Sequence, residues 1–374
     1  MISLGLSLGL GVNTSGGASP APPSYERTAF VDTAGNGGSV LNNPAQPFSS
    51  FYDAAIALLD AYPSQSTTIR LMSNANGGDT TATTMDILMG SGLTIMSHDA
   101  TVRTLTGTTS FGYNPGLTLN LSKVTIAELR KEPHASTAAA SAGTITGDAN
   151  TTITLLILES HADPGNQGAM GSDGGNVSGS GGQVGADGNP PEAGGTGESI
   201  DASGGHGQDG GLGFAAWSVT LLGTGLLVSG RAVSLSVGGQ GGAGGFGGTA
   251  TPGNGGAGGS STAIVLQDGG DGGNGGASAA NGGNGGSGGV GGRGGNIDTY
   301  SGTWTVTMGE TDGAAGGAGG YGGSGGLTNI GIGGNGGNPS TGGAPGATGA
   351  QGSYEALQGA DGVAGADGQD GIVG

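Results

Sequence analysis

Apolar residues between Tyr25 and Leu158 occur in short runs separated by polar residues, a pattern that indicates β-strands. The runs are rich in Thr, Val, Ile and Leu and are broken by Gly, Asn and Asp. Strands are predicted at Thr68–Met72, Met85–Met89, Leu93–Met96, Thr101–Leu105, Leu117–Leu121, Val124–Leu129 and Ile153–Leu158. Residues 25–160 are therefore expected to form a β-rich domain.

One stretch in this region has the spacing of a helix. Ser49 or Ser50 can cap its start, and Asp53 stands three residues after Ser50 in capping-box spacing. Pro63 ends the pattern. One face would consist of Phe51, Ala55, Ile56 and Leu59. A helix at about residues 49–62 is expected to cover an apolar surface.

After residue 160 the strand-like runs become widely spaced, and glycine-rich segments separate them. The runs are Trp217–Leu222, Leu226–Val228, Val233–Val237, Ala263–Leu266 and Thr303–Met308. Of the 95 glycines, 17 lie in residues 1–160 and 78 in residues 161–374. We expect these strands to continue the β-core and the glycine-rich segments to pack together beside it.

The longest regular segment is Gly282–Asn296, five triplets of two glycines and one variable residue. Polyproline II geometry has three residues per turn and a rise of about 3.1 Å, so the glycines leave two edges of such a helix bare. The glycines are Gly282, Gly283, Gly285, Gly286, Gly288, Gly289, Gly291, Gly292, Gly294 and Gly295. Because this helix has no internal hydrogen bonds, its backbone must find partners in neighbours. A bundle of polyglycine II helices is predicted, in which Gly282–Asn296 starts near Ala263–Leu266 and ends near Thr303–Met308.

Other tracts repeat or vary the triplet. Gly238–Thr249 and Gly316–Leu327 each contain four triplets with two glycines, whereas Gly359–Gly374 has one glycine per triplet. Gly165, Gly168, Gly171 and Gly174 share that single-glycine spacing. A collagen-like coil is one interpretation of Gly359–Gly374, but it contains no proline, and a looser helix at the edge of the bundle is preferred.

The acidic net charge and the lack of a long apolar stretch argue against nucleic-acid binding and membrane insertion. The formal net charge is -19, and after residue 160 the only basic residues are Arg231 and Arg293. Nucleic-acid binding needs clustered basic residues, so it is not expected. No apolar stretch reaches the roughly 20 residues of a membrane-spanning helix, and the start lacks the basic region of a secretory signal. No membrane insertion is predicted.

The first residues have a pattern of their own. Leu4, Leu6, Leu8 and Leu10 alternate with small residues, as in a strand with one apolar face. One interpretation is a disordered or signal-like end. The other is an attachment peptide that adds a strand to another protein's sheet, followed by a linker rich in Pro, Gly and Ser up to residue 24.

No arrangement of residues predicts catalysis, a cofactor or a metal site. The chain has no cysteine, its four histidines are scattered, and no nucleophile with a base can be named. Asp residues beside glycines, such as Asp271, are ordinary in turns, although a structural calcium ion is an alternative. Non-covalent binding is the expected activity, and the protein is not expected to be an enzyme.

Aromatic residues are few, so their positions are informative. Phe246 and Tyr321 occupy the variable place of glycine triplets, Tyr300 and Trp304 flank a predicted strand, and Tyr354 lies in the last tract. Aromatic side chains are enriched at binding hot spots, which makes these five residues receptor-binding candidates. The alternative is that they pack between the glycine helices and the β-core.

The order of a turn-rich opening, an amphipathic helix and many short strands resembles the capped start of right-handed parallel β-helices of the pectate-lyase-like and phage-tailspike kind. The resemblance covers about residues 26–160 and implies that the helix closes one end of a solenoid. The expected fold class is all-β, with a parallel β-helix-like core plus a bundle of polyglycine II helices in residues 161–374. A β-sandwich remains an alternative for the core.

Repeated glycine-pair triplets joined by apolar connections resemble the distal adhesins of T-even-like phages, over residues 165–374. That resemblance implies a virion protein, a tail-fibre or tail-tip adhesin that recognises a host outer-membrane protein or surface glycan without covalent chemistry. Other virion proteins would bind the N-terminus, and the chain would assemble in the host cytoplasm, with a homotrimer as one option.

Three alternatives stay open. A capsid decoration or head-fibre protein would share the virion but have no dedicated receptor. An ice-binding protein would need a regular face of small residues, and the variable positions here mix Asn, Phe, Arg, Tyr and Leu. A polysaccharide depolymerase would need converging carboxylates, for which Asp86, Asp99 and Glu128 are the candidates.

Overall fold

In the computed structural model, the described residues are 25–374 except 36–37, 79–80, 113–116, 134, 265 and 301–303. Residues 1–24, for which an attachment peptide and a linker are predicted, lie outside them. The described helices are α1 (Phe51–Ala61) and α2 (Ala82–Gly90). The described strands are β1 (Thr28–Val31), β2 (Thr67–Leu71), β3 (Ala75–Asn76), β4 (Leu93–Ser97), β5 (Arg103–Phe111), β6 (Leu117–Ser122), β7 (Val124–Lys131), β8 (Ala140–Gly147), β9 (Thr152–Ile157), β10 (Val177–Ser178), β11 (Ile200–Asp201), β12 (Trp217–Gly223), β13 (Gly225–Arg231), β14 (Thr249–Thr251), β15 (Ser278–Ala279), β16 (Ile297–Thr299), β17 (Trp304–Glu310), β18 (Leu327–Thr328) and β19 (Tyr354–Glu355).

Two large parallel sheets form the β-core. One has the strand order β1-β2-β4-β6-β8-β12-β16, and the other has the order β17-β13-β9-β7-β5-β3. From β2 onward the chain alternates between these two sheets, so each new strand lies beside the strand two steps earlier in the core. Each strand pair in the described residues is parallel. The parallel pairing is inconsistent with an antiparallel β-sandwich.

Apolar side chains stack in register between the sheets and form one hydrophobic core. One column in the first sheet is Leu93, Leu119, Ile145 and Leu221. A column in the second sheet is Leu105, Ile126, Ile153 and Leu227. All eight side chains are buried. Because both columns continue past residue 160, β12 and β13 extend the same core that the first part of the chain begins.

Helix α1 forms where the sequence predicts it. The Ser50 side chain accepts a hydrogen bond from the Asp53 backbone N–H (3.0 Å), and Ser50 Oγ–H donates to the Asp53 carboxylate (2.7 Å). The helix packs against β1, the outermost strand of its sheet. Its fully buried residues are Phe51, Ala54, Ala55 and Leu58. The predicted face was therefore wrong by one position, because Ile56 and Leu59 are only half-buried.

The strand predicted at Met85–Met89 is wrong, because these residues belong to helix α2. The Thr81 side chain caps the helix by accepting from the Thr84 N–H (3.3 Å). Met85, Leu88 and Met89 are buried, and their spacing of three and four residues places them on one helical face. The short apolar run fits both the two-residue period of a strand and the 3.6-residue period of a helix. The cap formed by Thr81 favours the helix.

Three glycine-rich excursions leave the β-core, after β9, after β13 and after β17. Each one runs outward, turns and runs back, so it contains an outgoing and a returning segment. By residue number, segment one is 165–188, segment two 192–213, segment three 238–261, segment four 267–295, segment five 313–340 and segment six 343–374. Midway along them, β10, β14 and β18 form one small sheet and β11, β15 and β19 another. A small core of Ala202, Ala250 and Ala280 lies there.

Candidate functional site

The six segments form two hydrogen-bonded layers. The outgoing layer contains segments one, three and five: Gly168 N–H donates to Gln240 O (2.8 Å) and Gly241 N–H to Ala318 O (2.9 Å). The returning layer is built in the same way from segments two, four and six. The layers are also bonded to each other, for example from Gly242 N–H to Gln208 O (2.7 Å). Backbone groups that would otherwise be buried without partners are thus paired between segments.

One triplet of segment three shows how each N–H finds an acceptor. Gly244 N–H donates to Tyr321 O of segment five (2.8 Å), and Gly245 N–H donates to Gly205 O of segment two (2.8 Å). The third N–H, of Phe246, donates to the Asp173 carboxylate of segment one (2.9 Å). All three backbone donors of the triplet are therefore satisfied by three different segments.

Side chains of Asp and Asn supply the third acceptor repeatedly, a role that the sequence analysis missed. Asp271 accepts from the Ala347 N–H (2.8 Å), and Asn284 accepts from the Ala360 N–H (2.9 Å). Further acceptors of this kind are Asn176, Asp187, Asp209, Asn254, Asp268, Asn274, Asn281 and Asn296. Donor and acceptor are 73, 76 or 78 residues apart. That recurring offset is the sequence signal that could have identified them.

The glycine pairs fix where the third residue of each triplet points. A Cβ on Gly241 would clash with Gly286 O of segment four, and a Cβ on Gly242 would clash with Ala169 O of segment one. The remaining direction leads to solvent. We name the solvent side of segments one, three and five, formed by these third residues, the outgoing face.

Two predicted candidates, Phe246 and Tyr321, lie on the outgoing face, with 53% and 72% of their surface exposed. Four further exposed apolar side chains occupy third positions of the same face. They are Met170, Val184, Leu327 and Ile332. The structure therefore places both aromatic residues on one surface, together with aliphatic residues that the sequence analysis had not selected.

The other three candidates lie elsewhere. Tyr300 follows β16 and is exposed, and Tyr354 is exposed in β19 on the returning layer. Trp304 is buried, with 5% exposure, and its indole N–H donates to Leu222 O (2.7 Å). Trp304 therefore belongs to the hydrophobic core, whereas the alternative interpretation placed it between the glycine helices and that core.

The far ends of the three excursions meet in one hydrogen-bonded group of turns. We call residues 188–191, 262–264, 266 and 339–342 the far-end turns. Thr262 N–H donates to Gly188 O (2.9 Å), which joins the first turn to the second. Leu266 N–H donates to Thr341 O (3.0 Å), which joins the second turn to the third. These turns therefore form one continuous surface.

The strand predicted at Ala263–Leu266 is wrong, because Ala263, Ile264 and Leu266, the described residues of this run, lie in the second far-end turn and not in a strand. Ile264 and Leu266 are 89% and 80% exposed, the highest values of any large apolar side chains in the described residues. Leu266 has φ 58°, a left-handed conformation that is costly for a residue with a branched side chain. Gly282–Asn296 accordingly does not start at Ala263–Leu266 but follows β15, and β16 comes directly after it.

A shallow groove lies between the first and second turns. Pro190, Pro191, Leu266 and Gln267 line it. Asp268 and Asp271 also line it, so its polar atoms come from two carboxylates as well as from Gln267 and backbone. A groove that combines apolar side chains with polar groups is suited to binding another molecule without covalent chemistry.

Among the described residues, no three His, Asp or Glu side chains converge as a metal site. Neither described helix is long and apolar enough to cross a membrane. The acidic residues beside glycines serve as backbone acceptors instead, as described above for Asp271.

Comparison of the chain with protein-family models, with curated proteins and with solved structures finds no match.

Proposed function

We propose that this protein is a tail-fibre or tail-tip adhesin of a tailed phage, and that the far-end turns contact the host surface. The observation that carries the proposal is the exposure of Ile264 and Leu266 in one turn. Large apolar groups exposed together mark interaction sites in soluble proteins. The receptor would be an outer-membrane protein or a surface glycan.

The proposed architecture is a β-solenoid that carries six polyglycine II helices. Two features support it: the alternation of strands between two parallel sheets, and hydrogen bonds between segments at every third residue. Polyproline II geometry repeats every three residues and leaves its backbone free for such bonds. The resemblance to T-even-like adhesins is an analogy of architecture, and fold alone does not establish function.

This architecture suits recognition because the parts that bind are separate from the parts that hold the fold. Segments are joined through backbone groups and glycines, so their stability does not depend on the residues in the far-end turns. Those turns can present apolar side chains and a groove at the end of a stiff support. A rigid scaffold with exposed connecting turns is the common arrangement for binding residues.

The test is binding of fluorescently labelled protein to cells of the host on which the phage grows. The variant Ile264→Asn with Leu266→Asn is expected to bind roughly 30-fold or more weakly, because two apolar anchors are lost. Asn tolerates the left-handed conformation of Leu266, so this variant is expected to fold.

The matched control is Leu357→Asn with Val363→Asn, which changes two exposed aliphatic residues on the returning layer. The control is expected to bind as the unaltered protein does. Equal binding by both variants would contradict the proposal, as would loss of binding only in the control. Circular dichroism melting of each variant checks that the fold is retained.

A further inference from the structure

The outgoing face has a second unusual property besides its apolar side chains. Segments three and five, which form two thirds of it, contain no charged residue: none occurs in 232–267 or in 313–354. The returning layer carries Asp209, Asp268 and Asp271 among other acids, and its only basic residue is Arg293. In a chain of net charge -19, two of the three segments of the outgoing face are therefore uncharged, and segment one adds the carboxylates of Asp173 and Asp187.

This difference in charge limits what can cover the face. Two copies of an acidic protein repel each other wherever their acidic surfaces meet. If two outgoing faces meet, the acidic returning layers point away from each other and the repulsion is smallest. Phe246, Tyr321, Leu327 and Met170 then leave water. Aromatic residues and Met are enriched at protein interfaces, whereas Asp and Glu are depleted there.

The size of the face is sufficient for a stable dimer. Residues 238–260 span about 70 Å at a polyproline II rise of about 3.1 Å per residue. Three hydrogen-bonded segments side by side, about 5 Å apart, are roughly 15 Å wide. The resulting area of about 1,000 Å² exceeds the approximately 800 Å² per partner of a standard interface.

We infer that the outgoing face binds the outgoing face of a second copy of this chain, forming a twofold dimer. Side chains at third positions would fit against small residues of the partner, such as Ala243 and Ala257, which separate the large ones along segment three. This inference does not depend on the proposed receptor function, because the far-end turns remain free in such a dimer.

Sedimentation equilibrium of the full chain tests the inference. The unaltered protein is expected to have twice the chain mass of 34.9 kDa. Phe246→Asp with Tyr321→Asp is expected to be a monomer, because it places two carboxylates from each copy in the apolar contact. The matched control, Tyr354→Asp with Leu357→Asp, adds the same charge on the returning layer and is expected to remain a dimer.

A second measurement does not require any apolar residue to be changed. The chain has no cysteine, so Ser324→Cys places a single thiol on the outgoing face and Ser353→Cys places one on the returning layer. A bis-maleimide is expected to join two copies of the first variant and not of the second. A monomeric or trimeric unaltered protein, a dimer that survives Phe246→Asp with Tyr321→Asp, or crosslinking only through Ser353→Cys would overturn the inference.

Discussion

The number of glycines in a triplet follows the number of neighbours that its segment touches. Segments three and four each bond to four other segments, and almost every one of their triplets contains two glycines. Segments one and six each bond to two, and most of their triplets contain one. Gly359–Gly374 therefore lies at the edge of the stack, in agreement with the preferred interpretation of its spacing. Every glycine loses conformational entropy when the chain folds. In the inner segments close backbone contact requires glycine, whereas in the edge segments other residues can replace it.

Two alanine substitutions distinguish a glycine that is required for close backbone contact from one that is not. Gly242→Ala is expected to lower the free energy of unfolding by about 3 kcal/mol, the upper part of the range for overpacking, because the new Cβ would clash with Ala169 O. Gly175→Ala has open space around its Cβ, and it is expected to raise stability by about 0.4–1 kcal/mol through the unfolded state. Denaturant unfolding followed by circular dichroism measures both. Equal effects of the two substitutions would contradict the packing account.

At the scale of single elements, prediction succeeded where several sequence features indicated the same element. It failed where a short apolar run was the only feature. Helix α1 combined a cap, an apolar face and Pro63, and it was confirmed. Met85–Met89 and Ala263–Leu266 are short apolar runs, and such runs do not distinguish a strand from a helix or from an exposed turn. Large apolar side chains are usually buried, so the sequence predicted a core strand for Ile264 and Leu266. Both side chains are instead exposed.

Lys131, at the end of β7, connects several elements of the core. Its side chain is fully buried, its ammonium donates to Gly112 O, and it lies 4.4 Å from the centre of the Trp217 ring. Burial lowers the pKa of Lys131 to about 8, and the Asp86 carboxylate raises it in part. The folded state therefore holds the proton of Lys131 less firmly than the unfolded state does.

A pH dependence of stability follows from this difference. Between pH 8 and about pH 10.4, the unfolded chain keeps a proton that the folded chain releases, so the cost of burying the Lys131 charge falls as pH rises. The free energy of unfolding of the unaltered protein is expected to rise relative to Lys131→Met across that range. Urea unfolding at pH 7, 8, 9 and 10 measures the difference between the two proteins. A difference that stays constant with pH would show that Lys131 titrates normally.

At the scale of the whole molecule, one β-core organises both halves of the sequence. Pairs between successive excursions are offset by 73 to 78 residues, as between Val177 and Ala250 or between Thr249 and Leu327. The composition change at residue 160 predicted a domain boundary, and that division stays a prediction. The core itself crosses that position, because Leu221 and Leu227 continue its apolar columns.

The stacking of the excursions was beyond prediction from the sequence for a physical reason. Layer order is set by backbone hydrogen bonds between glycines, and identical triplets carry no information about which neighbour they bind. The Asp and Asn acceptors supply part of that information, since Asp173 and Phe246 can pair only in one register. The exposure of Phe246 and Tyr321 could be anticipated from their place in the triplet, whereas the far-end turns could not.

The central claim, that this protein is a receptor-binding part of a phage tail, is tested most directly on intact particles. Gold-coupled antibodies against this chain would be applied to purified virions and viewed by negative-stain electron microscopy. The account predicts gold at the tail tip or on the tail fibres. Gold confined to the capsid, or particles without gold in a preparation where the antibody recognises the purified protein, would contradict it.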